Sequence, residues 1–196
     1  MLKKVNDNEI LWARVKSNAK IPAKLKENAG YDIYACFDED FIAIPRGGTK
    51  LIPTGLACAL SDKYYLQLEE RGSTGSQGIK RSAGVVDSGY RGEIFVALTN
   101  CSGKDILISK LDRKKLHNTY FGNKCRQGKE NLALETENGF IFPCDEASAI
   151  IYPYDKAICQ GIVHIIPDVE SREVNYEELR SYGSERGEGN LGSSGK

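Results

Sequence analysis

The chain has 196 residues, 40% hydrophobic and 28% charged, with 27 Lys and Arg balancing 27 Asp and Glu. That length suits a single domain that buries about two-thirds of its unfolded surface, and a formal net charge of zero leaves no global field to attract nucleic acid or a membrane surface. No apolar run approaches the roughly 20 residues that span a bilayer, and the N-terminal stretch has no signal-peptide core. Cys36, Cys58, Cys101, Cys125, Cys144 and Cys159 form no C-x-x-C pair, and Cys58 and Cys159 sit in apolar runs where a free thiol acts as a small hydrophobe. A soluble, cytoplasmic protein with reduced cysteines is expected.

Short strand-like runs follow one another along the chain: Ile10–Val15, Asp32–Cys36, Phe41–Ile44, Thr49–Leu60, Tyr64–Glu69, Ile94–Thr99, Ile106–Ile108 and Ala157–Ile166. Clusters of Gly, Pro, Asn, Asp and Ser separate most of them, which predicts an all-β sandwich or barrel. Pro53 cannot donate to a ladder, so a bulge or an edge position is expected there. One short helix is predicted over Asn175–Tyr182, with Asn175 as its cap and Glu178 at the capping-box position. Residues 109–146 break the pattern, being rich in charge, Gly and Asn, and the Gly- and Ser-rich end from Gly183 reads as a flexible arm. Residues 1–182 are therefore expected to form one β domain, and 183–196 its tail.

Several segments carry chemistry. Asp32 lies in Ala29-Gly-Tyr-Asp-Ile-Tyr-Ala35, an acid in an apolar strand, which needs a partner, a nearby cation or an edge facing water. Glu70-Arg-Gly-Ser-Thr-Gly75 ends a strand in a sharp turn. Its glycines open the backbone to an anion, Ser73 and Thr74 offer hydroxyls, and Arg71 offers a guanidinium fork or a salt bridge to Glu69 or Glu70. In Gly84-Val-Val-Asp-Ser-Gly-Tyr-Arg-Gly-Glu93 the Asp-Ser-Gly turn is expected to place Asp87 and Tyr90 on one compact hairpin, using the φ > 0 tolerance of glycine. Taken alone that turn is ordinary hairpin punctuation. Gln160 interrupts the run Ala157–Ile166, where an amide commonly satisfies nearby backbone groups.

With Lys156-Ala-Ile-Cys-Gln160 and Arg186-Gly-Glu-Gly-Asn-Leu-Gly-Ser-Ser-Gly195, these segments resemble, in order, the five motifs of the homotrimeric dUTPase family. The resemblance implies a jelly-roll-like distorted β-barrel, a homotrimer with shared active sites, and hydrolysis of dUTP to dUMP and pyrophosphate. It implies that Asp87 orients and deprotonates the attacking water. Tyr90 would pack on the deoxyribose, and the backbone of Gly84, Val85 and Val86 would read the uracil edge. Arg71, Gly72, Ser73, Thr74 and Gln160 would line the phosphate chain, with Ser73 or Thr74 replacing the family's usual serine at Gly72. Asp32 would act on Mg²⁺ through metal-bound water. Arg186 with Ser193 or Ser194 would clamp the γ-phosphate, while Leu191 and Gly192 close over the base, Leu191 standing where the family has an aromatic.

Two rivals arise. Deoxycytidine triphosphate deaminases share the fold and a similar third motif, but the resemblance aligns their catalytic glutamate with Ala97, which cannot move a proton. The 109–146 segment, an insertion by comparison with most of the family, is either a solvated excursion or a surface for a regulatory protein, with Tyr120, Phe121, Phe140 and Phe142 as anchors. A nucleotide sensor without activity is a third reading, raised by the missing aromatic.

Overall fold

In Tyr64–Glu69 the apolar residues alternate, and Leu66 and Leu68 turn inward to complete burial; that period of two makes the segment a strand. The same logic runs through the computed structural model, which describes residues 3–116, 133–135, 141–143, 149–184 and 187–188. Its strands are β1 (Leu11–Arg14), β2 (Gly30–Ile33), β3 (Phe41–Ile44), β4 (Thr49–Pro53), β5 (Leu56–Ala59), β6 (Tyr64–Glu69) and β7 (Ile79–Ala83). They continue with β8 (Val85–Val86), β9 (Phe95–Asn100), β10 (Asp105–Ser109), β11 (Ala133–Glu135), β12 (Ile141–Pro143), β13 (Ala149–Pro153) and β14 (Cys159–Ile165). Among the described residues the short helical segments are α1 (Gly72–Gly75), α2 (Arg113–Leu116) and α3 (Tyr176–Ser181).

The strands pair as β1-β5, β13-β10-β3, β11-β12, β2-β14-β6-β8 and β4-β9-β7. One hydrophobic cluster draws side chains from four of these sheets, among them Ile33, Ile44, Cys58, Leu66 and Val96, as a jelly-roll-like barrel requires. Asn100 and Asp105 are buried with partners: Asn100 donates to the carbonyls of Ile44 and Lys104, and Asp105 accepts from the Arg46 N–H at 2.9 Å. Pro53 ends the edge strand β4, as expected. The single run expected over Thr49–Leu60 is two strands, because Gly55 adopts φ 65° and turns the chain into a different sheet.

The region after β10 also departs from expectation. β13 runs parallel to β10, pairing Asp105 with Ala149 and Ser109 with Pro153, so the intervening chain must return along the whole strand before pairing begins. Leu116 is fully buried against Leu107, Phe41 and Ile151, and β10 is therefore covered on both faces. The segment thus begins inside the core rather than as a solvated excursion. Tyr120, Phe121 and Phe140 lie outside the described residues, as does the side chain of Phe142.

The chain divides spatially into Met1–Ile166 and Pro167–Lys196. In the second unit, the Glu178 N–H donates to the Asn175 side chain at 2.8 Å, capping α3 as predicted. The Glu178 carboxylate pairs with Arg172 instead of closing a capping box. Glu188 accepts from the Tyr176 hydroxyl and pairs with Arg180 at 2.7 Å.

Candidate active site

Three separated segments meet at one end of the β2-β14-β6-β8 sheet. β14 lies between β2 and β6, setting Gln160 opposite Asp32 on one side and Glu69 on the other. Just past β6 the chain turns through α1, and Arg71 swings back over β2, placing its Nε 3.0 Å from Asp32 Oδ1. Arg71 Nη1 also donates to the Ala157 carbonyl at 3.3 Å and to Ser73 Oγ at 3.5 Å. The Tyr152 hydroxyl donates to the same Ala157 carbonyl at 2.6 Å. Burial pushes that phenol above its ordinary range, so it stays a donor at neutral pH. Gln160 Nε2 donates to the Glu70 carbonyl at 2.9 Å, tying β14 to the residue before Arg71. Gly30 permits this: a Cβ there would lie 2.8 Å from Gln160 Oε1.

Within the turn the two hydroxyls separate in role. Thr74 is 1% exposed; it accepts from the Arg71 N–H at 3.1 Å and donates to the Arg71 carbonyl at 2.9 Å, so its oxygen is committed to the turn. Ser73 is half-buried beside the Arg71 guanidinium, and Gly72 is exposed with nothing within 4 Å of a Cβ built on it. Arg71 pairs with Asp32, 39 positions earlier, and not with Glu69 or Glu70. Those two acids serve Arg81, which lies 3.0 Å from Glu69 and donates its backbone N–H to Glu70 at 3.0 Å.

Asp87 and Tyr90 occupy a different setting. The Tyr90 N–H donates to the Asp87 carbonyl at 3.0 Å, closing a tight turn after β8. Gly89 takes no positive φ, so the turn does not use the left-handed freedom expected of it. Nor is it a hairpin between paired strands. β8 pairs with β6, whereas β9 pairs with β4 and β7, and the turn therefore joins two sheets. Asp87 is exposed, and among the described residues its carboxylate makes no ion pair or hydrogen bond. Tyr90 is 46% exposed, its hydroxyl donating to the Glu93 carbonyl at 2.8 Å; it is not a core aromatic. Val86 is buried against the core while Gly84 and Val85 lie on the accessible edge. Arg186, Leu191, Gly192, Ser193 and Ser194 lie outside the described residues.

Neither Cys159 nor Cys58 is disposed to act as a nucleophile. Cys159, beside Gln160, is fully buried and its thiol is pushed far above its ordinary value by desolvation; burial pushes Cys58 up to about 11. Ala97 is buried on β9 and presents only a methyl group. Sequence reasoning missed Tyr152 and Arg81 as parts of this region, gave Gly30 no role, and offered Glu69 and Glu70 as partners for Arg71 when they serve Arg81. Their partners are distant in sequence or on backbone atoms, which composition and spacing do not display.

The dUTPase family model matches residues 17–114, half of the chain, and takes in Asp32, the Arg71 turn and the Asp87 turn. The deoxyuridine 5'-triphosphate nucleotidohydrolase of Leptospira interrogans is 33% identical over 104 residues, covering 51% of this chain and 71% of the relative. The chain belongs to the dUTPase family. The Rickettsia typhi enzyme of the same name is 41% identical over 97 residues, 47% of this dUTPase-family chain and 65% of the relative. Among solved structures, the dUTPase of Staphylococcus bacteriophage 80alpha with dUpNHpp superposes with a TM-score of 0.66 at 21% identity, covering 96% of this chain and 99% of that one. A mutant dUTPase from phage phi11 of S. aureus, described with a structural Mg(II) ion, gives 0.56 at 20% identity over 87% and 99% of the two chains. These likenesses show the dUTPase fold.

Proposed function

We propose that the chain hydrolyses dUTP to dUMP and pyrophosphate. Water attacks the α-phosphorus, a new P–O bond forms, and the bond to the oxygen bridging toward the β-phosphate breaks, with pyrophosphate departing with that oxygen. Asp87 takes the water's proton, a role worth typically about 10²- to 10⁴-fold, and its exposed carboxylate is uncommitted to any internal pair among the described residues. Arg71 and Ser73 bind the phosphate chain; Thr74 shapes the turn, since its hydroxyl is used within it. Tyr90 packs on the deoxyribose, and the Gly84–Val86 backbone reads uracil.

The observation that carries this reading is the corner in which three separated segments meet: Arg71 pairs with Asp32, and Gln160 holds the Glu70 carbonyl just before Arg71. A guanidinium anchored on one edge is preorganised for a polyanion. Among the described residues no three His, Cys, Asp or Glu side chains stand together as a metal cage. A lone carboxylate suits a hydrated Mg²⁺ already held by phosphates, and Asp32 would hold such an ion through its water. Bound there, magnesium neutralises charge on the triphosphate.

The site is completed in a homotrimer. Within one chain, no side-chain bond among the described residues links Asp87 or Tyr90 to the Arg71 corner, and Leu51 and Phe95 are exposed apolar surface that assembly would cover. The arm carrying Arg186, Leu191, Gly192 and Ser193 closes over the nucleotide. No helix among the described residues is long and apolar enough to cross a membrane, and we place the enzyme in the cytoplasm. The test is pyrophosphate release from dUTP, dTTP, UTP and dCTP with magnesium. The expected result is dUTP preferred by on the order of 100-fold, with sedimentation at three times the 21.7 kDa chain mass. No pyrophosphate from dUTP, or ammonia from dCTP, would overturn it.

A further inference from the structure

The chain changes sheets at Gly84. β7 runs beside β9, its register slips between Arg81 and Ala83, and past Gly84 the chain joins β6 as β8. Arg81 sits at that corner with its side chain 21% exposed, its Nη2 3.0 Å from Glu69 Oε2 and its backbone N–H 3.0 Å from Glu70 Oε1. A Cβ on Gly84 would lie 2.5 Å from Arg81 Cδ and 2.8 Å from Nη1, so the side chain lies flat on the Gly84 backbone. The Gly84 carbonyl, in turn, accepts from the Leu68 N–H at 2.7 Å. Arg81 Nε is buried without a partner among the described residues, a cost that an apolar side chain filling the same space would avoid. The Glu70 carboxyl is raised by burial, but hydrogen bonds from the Arg81 and Glu70 backbones and the Arg81 charge outweigh this and hold it below its ordinary range.

We propose that Arg81 is a positioning residue for nucleobase selection, fixing the Gly84–Val86 main-chain edge against β6 through Glu69, Glu70 and the Gly84 backbone. This rests on the dUTP reading, and it gives Arg81 no part in the phosphate chemistry. The salt bridge holds the corner from one side and the peptide contact from the other. A loosened corner therefore shifts the donors and acceptors that face the base while leaving the Arg71 turn in place.

The experiment measures dUMP binding and pyrophosphate binding separately by calorimetry, with KM, kcat and melting temperature, in Arg81→Met, Arg81→Lys and Glu69→Gln. Arg81→Met should weaken dUMP and raise KM for dUTP about tenfold, with kcat and pyrophosphate affinity within about twofold. Glu69→Gln should move the same quantities about threefold, and Arg81→Lys, which can keep the pair with Glu69, should recover part of the loss. Unchanged dUMP affinity overturns the proposal, as does parallel loss of dUMP affinity, pyrophosphate affinity and melting temperature, the mark of a merely structural role. Should Arg81→Met fail to fold, Glu69→Gln decides by the same criteria. A wild-type protein that binds neither dUMP nor dUTP removes the dUTP reading itself, before any variant is compared.

Discussion

The Arg71 corner and the Asp87 turn are built by opposite means. At the corner, β2, β14 and the turn just past β6 each contribute polar groups, and the charges are paired within one chain: Arg71 with Asp32, and nearby Arg81 with Glu69. At the turn the bonds are local, Tyr90 to Asp87 and Glu93, and Arg91 to Ser88 and Tyr90, and the Asp87 carboxylate stands in solvent. Binding groups that must present a fixed shape to a highly charged ligand gain from preorganisation. A general base that must meet a water in a closed site gains from being left unpaired until the site is assembled. Stability and chemistry are thus separable between the two regions, and substitutions should report them separately.

The largest effect is expected at the turn. Asp87→Asn should lower pyrophosphate release from dUTP by roughly 100-fold or more, while thermal melting stays where it was, because no fold-holding bond is lost; a matched fall in melting temperature would make Asp87 structural. Next, Arg71→Lys keeps the charge but loses the fork, so the contacts to Asp32, Ala157 and Ser73 cannot all survive. Pyrophosphate affinity should fall on the order of tenfold, and melting temperature should drop as well. Gly30→Ala tests the corner without touching a charged group. The added methyl meets Gln160 and should detach it from Glu70, destabilising the fold by about 1–2 kcal/mol in denaturant titration.

The smallest effect concerns acid. The Glu70 carboxyl is held below its ordinary range, so the stability it adds is complete above that range and is lost as pH falls through the lowered value. Glu70→Gln should lower the melting temperature at neutral pH toward the value the wild type reaches in acid, and so flatten the acid limb of the profile. A variant whose acid limb matched the wild type would show that the Arg81 contact does not bias Glu70.

What local pattern can specify, the sequence displays. Phe41–Ile44 and Tyr64–Glu69 are strands at the expected bounds because a continuous apolar run in the one and alternation in the other are properties of adjacent residues. Asn175 caps α3 for the same reason, since the bond spans three positions. The order of the five chemistry-bearing segments is equally a one-dimensional fact, and the family followed from it. Ile79–Ala83 and Ala149–Pro153 were not legible as strands: one mixes charged and small residues, and the other is held by a parallel pairing across a long return of chain. That Arg71 chooses Asp32 over the adjacent Glu69 and Glu70, and that those acids serve Arg81, is decided by which strands become neighbours. Charge pairing depends on distance in space, and a strand order of β2-β14-β6-β8 sets those distances only after folding.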